Sequence, residues 1–425
     1  MPNDPDHATP STDVKAKNAR TKDAKTKNTK TADDAWLKPM KPRQPSEEKR
    51  GATPLELLFD LVCVVAIAIA SLQLHHGLSE QHFAEVIPLY LMVFFTIWWS
   101  WMNFTWFASA YDNDDTAYRL VTFVQMMGLL VLAAGINKVF IQHDFSVCVL
   151  GYLIMRFGLV IQWVRAGISD VEHRKTAFRY AGGIVVAQIG WIVYQFKLVT
   201  FTQIEFLVLA LFELAVPVWA EKANTTTWHP EHIAERYGLF SIIVLGETIM
   251  ASFSAINTAL MDSKTGIDAP LICLMIGGMM MLFSIWWSYF DREPVCVLTS
   301  FKKVFYWGYG HYFIFLSIAS VGAGLAVGVE AITKHSDITN QQAEYAIAIP
   351  LSIYSLAVWL IHDLQIDKGW RKLWHPLSVL LILLFPLWGN IGYGTLAIGI
   401  FYALTIVFRQ VFLVDSHAEK QEIIE

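Results

Sequence analysis

Cysteine and charged residues are both scarce in this chain of 425 residues. The four cysteines are isolated and show no CxxC spacing: Cys63, Cys148, Cys273 and Cys296. This spacing provides no disulfide framework, and isolated cysteines in apolar runs are typical of small buried hydrophobic residues. Charged residues make up 16% of the sequence, whereas about 25% is usual in a soluble domain. The scarcity of charge indicates that lipid, rather than water, surrounds much of the chain.

Several catalytic motifs are also missing. The sequence contains no P-loop, no GxSxG nucleophile elbow and no HExxH zinc motif. His229 and His232 have a spacing that would suit a metal, but no convincing third and fourth ligand accompany them. The connections between apolar runs are too short to hold a catalytic domain. We therefore expect no resident cofactor and no metal, and a non-enzymatic function is favoured over an enzymatic one.

Long apolar runs dominate what is present. Hydrophobic residues make up 55% of the chain, and the mean hydropathy is +0.42. A membrane-spanning helix needs about 20 apolar residues, and stretches of suitable length lie at roughly 54–74, 84–108, 119–140, 145–165, 177–196, 200–220, 234–257, 270–290, 305–328, 344–363, 373–389 and 391–413. Their lack of polar alternation excludes a transmembrane barrel. The sequence predicts an all-α polytopic integral membrane protein with about 12 transmembrane helices in the lipid bilayer.

The chain begins with a polar, basic tail. Residues 1–50 contain twelve Lys or Arg and eight Asp or Glu. We expect a disordered cytoplasmic tail here, and its mixed charge does not indicate nucleic-acid binding. With this tail inside the cell, the cytoplasmic connections hold thirteen Lys or Arg and the outer connections hold four. This asymmetry predicts a multi-pass cell-membrane protein whose second tail, residues 414–425, is also cytoplasmic.

An internal repeat divides the membrane part. Ile-Trp-Trp-Ser-Trp at 97–101 recurs as Ile-Trp-Trp-Ser-Tyr at 285–289. Because each half has an even number of spans, we expect two parallel six-helix repeats, over residues 51–225 and 226–413. Many transporters bind their substrate between such halves. The paired tryptophans are candidates for an aromatic lining that binds an organic cation, although an interfacial belt or plain packing is the commoner use: Trp98, Trp99, Trp286 and Trp287.

Ionisable residues inside the predicted spans are functional candidates, because each charge there costs at least about 2.5–3.5 kcal/mol. Glu56 and Asp60 lie four residues apart in the first span and share one helical face. Two carboxylates this close disfavour full ionisation, so one of them would be able to exchange a proton. The alternative for Glu56 is an interfacial role, in which it caps backbone amides and pairs with Arg50.

Further polar residues lie deep in other spans. Glu247 follows Gly246 near the middle of the seventh span, and Arg156 lies near the middle of the fourth. Arg156 needs a partner, for which Glu213, Glu247 and Asp60 are the candidates, and a structural ion pair is as consistent with the sequence as a relay. Histidines suit proton handling, although hydrogen-bonded helix contacts are their commoner use. The remaining coupling or translocation candidates are Glu235, Arg236, His311, His362 and Asp363.

Two segments resemble the signature segments of the bacterial low temperature requirement protein A family. They read ATPLELLFDLV at 52–62 and HPEHIAERYGLFSIIVLGE at 229–247. The likeness covers about residues 50–413 and implies a bacterial inner-membrane protein, without implying a biochemical activity. Cys63 departs from the aromatic or aliphatic residue that the family often has there. The matching motif positions are Glu56, Phe59, Asp60, Glu235, Arg236, Gly238, Gly246 and Glu247.

The leading hypothesis is a proton- or cation-coupled secondary transporter of a small solute. In it, Asp60 and Glu247 are coupling sites in one water-accessible space, and Arg156 is a counter-ion or anion ligand. The alternatives are an ion channel lined by the same acids, and a non-transporting membrane sensor or lipid-acting membrane enzyme. The sequence determines neither the solute nor the oligomeric state.

Overall fold

The computed structural model describes residues 36–44, 47, 50–196, 203–262, 268–291, 298, 301–366 and 369–413. Within these residues the secondary structure is helical, without strands. The twelve main helices are α1 Pro54–Ser79, α2 Phe83–Tyr111, α3 Thr116–Gln142, α4 Ser146–Ser169, α5 Arg174–Phe196, α6 Gln203–Glu221, α7 Pro230–Asp262, α8 Ala269–Phe290, α9 Phe301–Thr333, α10 Asn340–Val358, α11 Trp374–Ile382 and α12 Ile391–Leu413.

Eleven of the described helices are long and apolar enough to cross a membrane. The other, α11, is shorter and continues into a 3-10 turn, Phe385–Trp388, so that this apolar segment runs from Trp374 to Trp388. Pro386 lies in that turn, and Gly389 ends it with a φ of +70°, a conformation that favours glycine. The prediction of an all-α polytopic membrane protein is confirmed.

The helix termini divide the bundle into two ends. We call the end where α1 begins the amino-terminal face; it carries the connections 112–115, 170–173 and 222–229. The opposite face carries the connections 80–82 and 334–339, where the Ser336 hydroxyl donates to the Ser79 carbonyl. Successive helices run in alternating directions between the two faces, so α1 and α7 are parallel.

Part of the segment before α1 packs on the amino-terminal face. The Lys38 amide donates to Asp115 (2.7 Å), and the Arg43 amide donates to the Ala110 carbonyl (2.9 Å). The tail predicted to be disordered through residue 50 is therefore held against the α2–α3 connection over residues 36–44, because backbone amides find acceptors there. Residues 1–35 and the second predicted tail, 414–425, lie outside the described residues.

Helix α1 lies at the centre of the described bundle. Helix α1 packs against α2, α3, α7 and α9, and α7 packs against α9. Helices α3 and α4 approach closely at two glycines: a Cβ on Gly128 would lie 2.5 Å from the Met155 nitrogen, and one on Gly151 would lie 2.2 Å from the Leu132 nitrogen. Small residues permit such backbone contact between membrane helices. This close contact of α3 with α4 forms a compact pair of helices of which α3 packs against α1.

Candidate functional site

The contact between α1 and α7 contains a buried ion pair. The Arg236 guanidinium lies 2.5 Å from the Asp60 carboxylate, and both side chains are completely buried. The Trp101 indole N–H also donates to Asp60, at 2.7 Å. Each charge in this dry interface offsets part of the penalty that burying the other charge alone would carry.

A second polar pair lies one helical turn closer to the amino-terminal face. His232 Nε2 lies 3.2 Å from the Glu56 carboxylate, and both side chains are buried. Glu56 also accepts a hydrogen bond from the Thr53 amide (2.7 Å), and Thr53 caps the Glu56 amide, which is a capping box at the start of α1. The interfacial capping role considered for Glu56 is thus present. Its expected partner, Arg50, instead donates to the carbonyls of Ala108 and Ser109.

The two pairs follow the same spacing on both helices. Glu56 and Asp60 are four residues apart on α1, and their partners His232 and Arg236 are four residues apart on α7. Matched i, i+4 spacing is what two parallel helices in contact produce. Acids on one helix therefore face bases on the other. The Oδ2 atom of Asp60 has no hydrogen-bond partner among the described residues, so this oxygen can accept a further hydrogen bond.

A second buried ion pair links α4 and α6. Arg156 lies 2.6 Å from Glu213, and both are buried. Of the three partners considered for Arg156, the structure selects Glu213. Neutral donors complete the carboxylate's hydrogen bonds: the indole N–H groups of Trp99 (2.5 Å) and Trp191 (2.9 Å), and the side-chain amide of Gln188 (3.2 Å). These donors, together with Arg156, hold the Glu213 carboxylate in one position.

A third buried ion pair links α12 to the end of α10. Asp363 lies in a π-helical turn, Trp359–Asp363, that extends α10, and it pairs with Arg409 (2.7 Å) and His375 (3.1 Å). The Trp307 indole donates to His362 (2.9 Å). π-Helical turns are frequent at functional sites.

His311 is a buried hydrogen-bonded contact within this region. Its Nδ1 lies 2.8 Å from the Trp307 carbonyl oxygen, and its Nε2 lies 2.9 Å from the Tyr289 hydroxyl. A carbonyl accepts only, so Nδ1 carries the proton and Nε2 accepts from tyrosine. His311 and His362 thus join α8, α9 and α10 through hydrogen bonds.

Glu247 occupies a different environment from these pairs. It is half-buried, and among the described residues it makes no hydrogen bond or ion pair. It lines a groove of about 590 Å³ between α1, α7 and α9. The same groove contains an ion pair nearer the opposite face, in which His75 lies 3.0 Å from Glu330, and the Ser79 hydroxyl donates to Glu330 at 2.5 Å.

The structure does not bring Asp60 and Glu247 into one space. Glu247 follows Arg236 by eleven residues on α7, which is about 16 Å of helix, and Asp60 does not line the groove. The shared cavity expected from the sequence is therefore absent among the described residues. The reason is that Asp60 faces α7 in the second turn of α1, where Arg236 neutralises it.

The two tryptophan pairs of the repeated sequence lie in different environments. Trp98 and Trp99 are buried in the bundle, whereas Trp286 and Trp287 are 50% and 42% exposed on its outer surface. Trp99 lines a cavity, and the second pair has the exposure of lipid-facing aromatic residues. Glu235 is exposed as well, whereas the adjacent Arg236 is buried.

Sequence reasoning missed several residues of these clusters, among them His375 and two fully charged groups, Arg409 and Glu330. Arg409 lies within the last apolar run, and its charge there is a signal of the same kind as that of Arg156. Glu330 lies just past the predicted end of the ninth span, so hydropathy places it in a connection, whereas α9 continues to Thr333.

Comparison with known proteins assigns this chain to a protein family. A family model described as bacterial low temperature requirement A protein matches residues 51–411. Among curated proteins, the chain is 26% identical over 237 residues to a protein of Rhizobium meliloti (strain 1021) that is described as uncharacterized. That match covers 52% of this chain and 55% of the relative, so the chain spans about half the length of the curated relative it matches. No solved structure matches the chain.

Proposed function

This chain belongs to the bacterial low temperature requirement A protein family, and from that premise we propose that it is a proton- or cation-coupled secondary transporter of a small solute in the cell membrane. The observation that carries the proposal is Glu247. A carboxylate near the middle of a long apolar helix is costly unless it is used or paired, and Glu247 faces a groove instead of a partner.

The groove has the composition of an ion-handling path. Its walls are mostly small or hydroxylated side chains from α1, α7 and α9, which leave room for water or a solute. It leads from Glu330 and His75, near the opposite face, to Glu247 at mid-membrane depth. Histidine and carboxylate groups along such a path are suited to passing protons or to binding a cation. Leu72 and Met250 are exposed at its edge, so the groove is open along one side.

The arrangement of ion pairs supports a parallel two-repeat transporter. In the proposed repeats, α4 corresponds to α10 and α6 to α12. Arg156 on α4 pairs with Glu213 on α6, and Asp363 at the end of α10 pairs with Arg409 on α12, with the charges exchanged. Corresponding helix contacts occur as well, because α1 packs on α3 and α7 packs on α9. An axis along the membrane normal between α1 and α7 would relate the halves.

In this proposal the α1–α7 pairs close the path toward the amino-terminal face. Asp60 with Arg236, and Glu56 with His232, hold the first helices of the two halves together below the groove. Protonation of Glu247 would remove its uncompensated charge from the groove and lower the penalty for a rearrangement that separates the halves. Glu247 is then the coupling residue, and the paired carboxylates are elements of the closed state.

Transport by the full chain in proteoliposomes tests the proposal. Vesicles containing pyranine are given a pH gradient and a series of small amines, amino acids and sugars, and internal pH is recorded for each solute. We expect at least one solute class to accelerate proton movement, and Glu247→Gln to abolish that acceleration. Glu231→Gln is the matched control, because Glu231 is exposed in the first turn of the same helix.

The result also separates a carrier from a channel. Solute-independent currents with unitary steps in planar bilayers would contradict coupled transport. Equal solute-driven proton movement in the parent protein and Glu247→Gln would remove Glu247 from the mechanism.

A further inference from the structure

A second cavity, distinct from the Glu247 groove, opens at the amino-terminal face. Its volume is about 300 Å³. It is bounded by α2, α4, α5, α6, the α6–α7 connection and the start of α9. Its walls are largely aromatic, with side chains from Trp99, Trp106, Trp163, Tyr180, Trp228 and Phe305. We call it the aromatic cavity.

One carboxylate, Glu221, lines the aromatic cavity. Its side chain is buried, and it accepts hydrogen bonds from the Tyr180 hydroxyl (2.8 Å), the Thr226 amide (2.8 Å) and the Thr226 hydroxyl (2.8 Å). All three donors are neutral. They hold the carboxylate in place and leave its negative charge uncompensated.

No Lys or Arg of the described residues lies within ion-pair distance of Glu221. His173 acts electrostatically on it, but the His173 ring lies 2.7 Å from its own carboxylate partner, Asp170. A buried anion without a cation is costly, and a cation entering the cavity would offset that cost. The cavity therefore has a net preference for positive charge.

The aromatic walls specify the kind of cation. Aromatic faces attract ammonium groups, and quaternary ammonium groups are bound by cages of several rings. A metal ion is poorly suited, because Glu221 is the one carboxylate among the lining side chains. The Trp163 indole N–H is buried and has no acceptor among the described residues. A ligand that carries a hydroxyl or carbonyl oxygen would supply one.

From these observations we infer that the aromatic cavity binds a small organic cation, with Glu221 as its counter-ion and Trp99, Trp106 and Trp228 among its aromatic walls. The site is connected to the buried charges of the bundle, because the Trp99 indole also donates to Glu213, the partner of Arg156. The inference does not rest on transport, because binding is a property of the solubilised chain.

Calorimetric titration of the detergent-solubilised full chain tests the inference with two probes of equal shape. Choline carries a quaternary ammonium group, and 3,3-dimethylbutan-1-ol is its uncharged isostere with the same hydroxyl. We expect choline to bind about tenfold more tightly than the alcohol, which is the size of effect that cation–aromatic and charge contacts produce. Equal affinities, or no binding of either probe, would overturn the inference.

Three variants locate the site. Glu221→Gln is expected to remove the preference for choline, and Trp228→Leu to weaken choline binding by about fivefold to tenfold, whereas Trp228→Phe keeps a ring and is expected to stay within about threefold of the parent. Trp228 is only half-buried and lies in a connection, so its variants are compatible with the fold. Trp286→Leu, at the lipid-facing surface, is the control. Undiminished choline preference in both Glu221→Gln and Trp228→Leu would contradict a site in the aromatic cavity.

Discussion

Asp60 and Arg236 form a completely buried ion pair, 2.5 Å apart, between the first helices of the two proposed halves. One turn earlier on both helices, Glu56 meets His232 at 3.2 Å. The acids belong to α1 and the bases to α7, so each half alone would bury like charges without partners. Charge compensation at this interface therefore requires both halves. The two pairs also fix the axial position of α7 relative to α1, because a shift of one turn would bring the acids opposite different residues.

Breaking this pair is expected to destabilise the protein strongly. Asp60→Asn leaves Arg236 buried without its counter-charge, which costs about 3–5 kcal/mol in comparable buried pairs. Adding Arg236→Gln removes the orphan charge, so the double variant should be clearly more stable than the sum of the two single effects predicts. Thermal unfolding in detergent measures all three. Arg119→Gln, which breaks the exposed pair with Asp114, is the control and should change the unfolding temperature little. Additive effects of the two buried substitutions would show that Asp60 and Arg236 are energetically independent.

Substitution by alanine is expected to change stability differently at two glycines, one in the contact of α3 with α4 and one outside it. A Cβ on Gly151 would meet the Leu132 backbone nitrogen at 2.2 Å, so Gly151→Ala must push the helices apart and should cost about 1–3 kcal/mol. Gly182 on α5 has no neighbouring atom within 4 Å of the position that a Cβ would occupy, and Gly182→Ala should be neutral or stabilise by up to about 1 kcal/mol through helix propensity. The unfolding temperatures of the two variants check this contrast. If both substitutions shift it equally, close packing at Gly151 is not limiting.

The α2–α3 connection predicts opposite pH dependences for two aspartates. Burial, with the nearby Glu56 charge, raises the pKa of Asp112 from 3.8 to about 6. The folded state therefore holds this proton more tightly than the unfolded state, and stability is lost as pH rises from about 4 to 6. Asp112→Asn cannot ionise and keeps the oxygen that accepts from the Asp114 amide. We expect it to be more stable than the parent above pH 6, by at most about 3 kcal/mol, and equal to it near pH 4.

Asp115 should behave in the opposite way. Burial opposes its ionisation, but hydrogen bonds from the Lys38 and Tyr118 amides and from Arg165 outweigh burial and lower the pKa of Asp115 below its ordinary value. Its contribution to stability is fully present well above the ordinary pKa of 3.8 and is lost as pH falls through and below that value. Asp115→Asn should thus be less stable than the parent at pH 7, with the difference shrinking in acid. Unfolding curves of both variants between about pH 2 and 8 measure the two trends. Parallel curves for Asp112→Asn and the parent would contradict the first trend, and a constant difference between Asp115→Asn and the parent down to about pH 2 would contradict the second.

The orientation of the chain is directly testable by reporter fusions. With the amino-terminal face in the cytoplasm, a fluorescent protein fused after residue 413 should fluoresce. Alkaline phosphatase should be active when fused in the connection 334–339 and inactive when fused in 222–229, because that enzyme folds only outside the cytoplasm. The reversed pattern would place the aromatic cavity outside the cell and the Glu247 groove inside.

Local hydropathy was sufficient for much of the fold. Each span is decided by transfer free energies that add along one run of residues, so the all-α membrane architecture could be read without knowing any contact. The same reasoning identified Asp60, Arg156, Glu213, Arg236 and Glu247 as groups that are costly to bury. It overestimated the length of α11, which ends at Ile382, although the apolar segment continues through a 3-10 turn to Trp388.

The ion-pair partners of these residues could not be predicted from the sequence, because they depend on how helices far apart in the chain rotate and pack. Arg156 had three possible acids, and only the approach of α6 to α4 selected Glu213. Asp60 was expected beside Glu247, but the parallel contact of α1 with α7 gave it Arg236 and left Glu247 in a groove with His75 and Glu330. The aromatic cavity joins side chains from five helices and two connections. Burial cost is a local property of the chain, whereas the compensation of each buried charge is set by contacts between residues far apart in it.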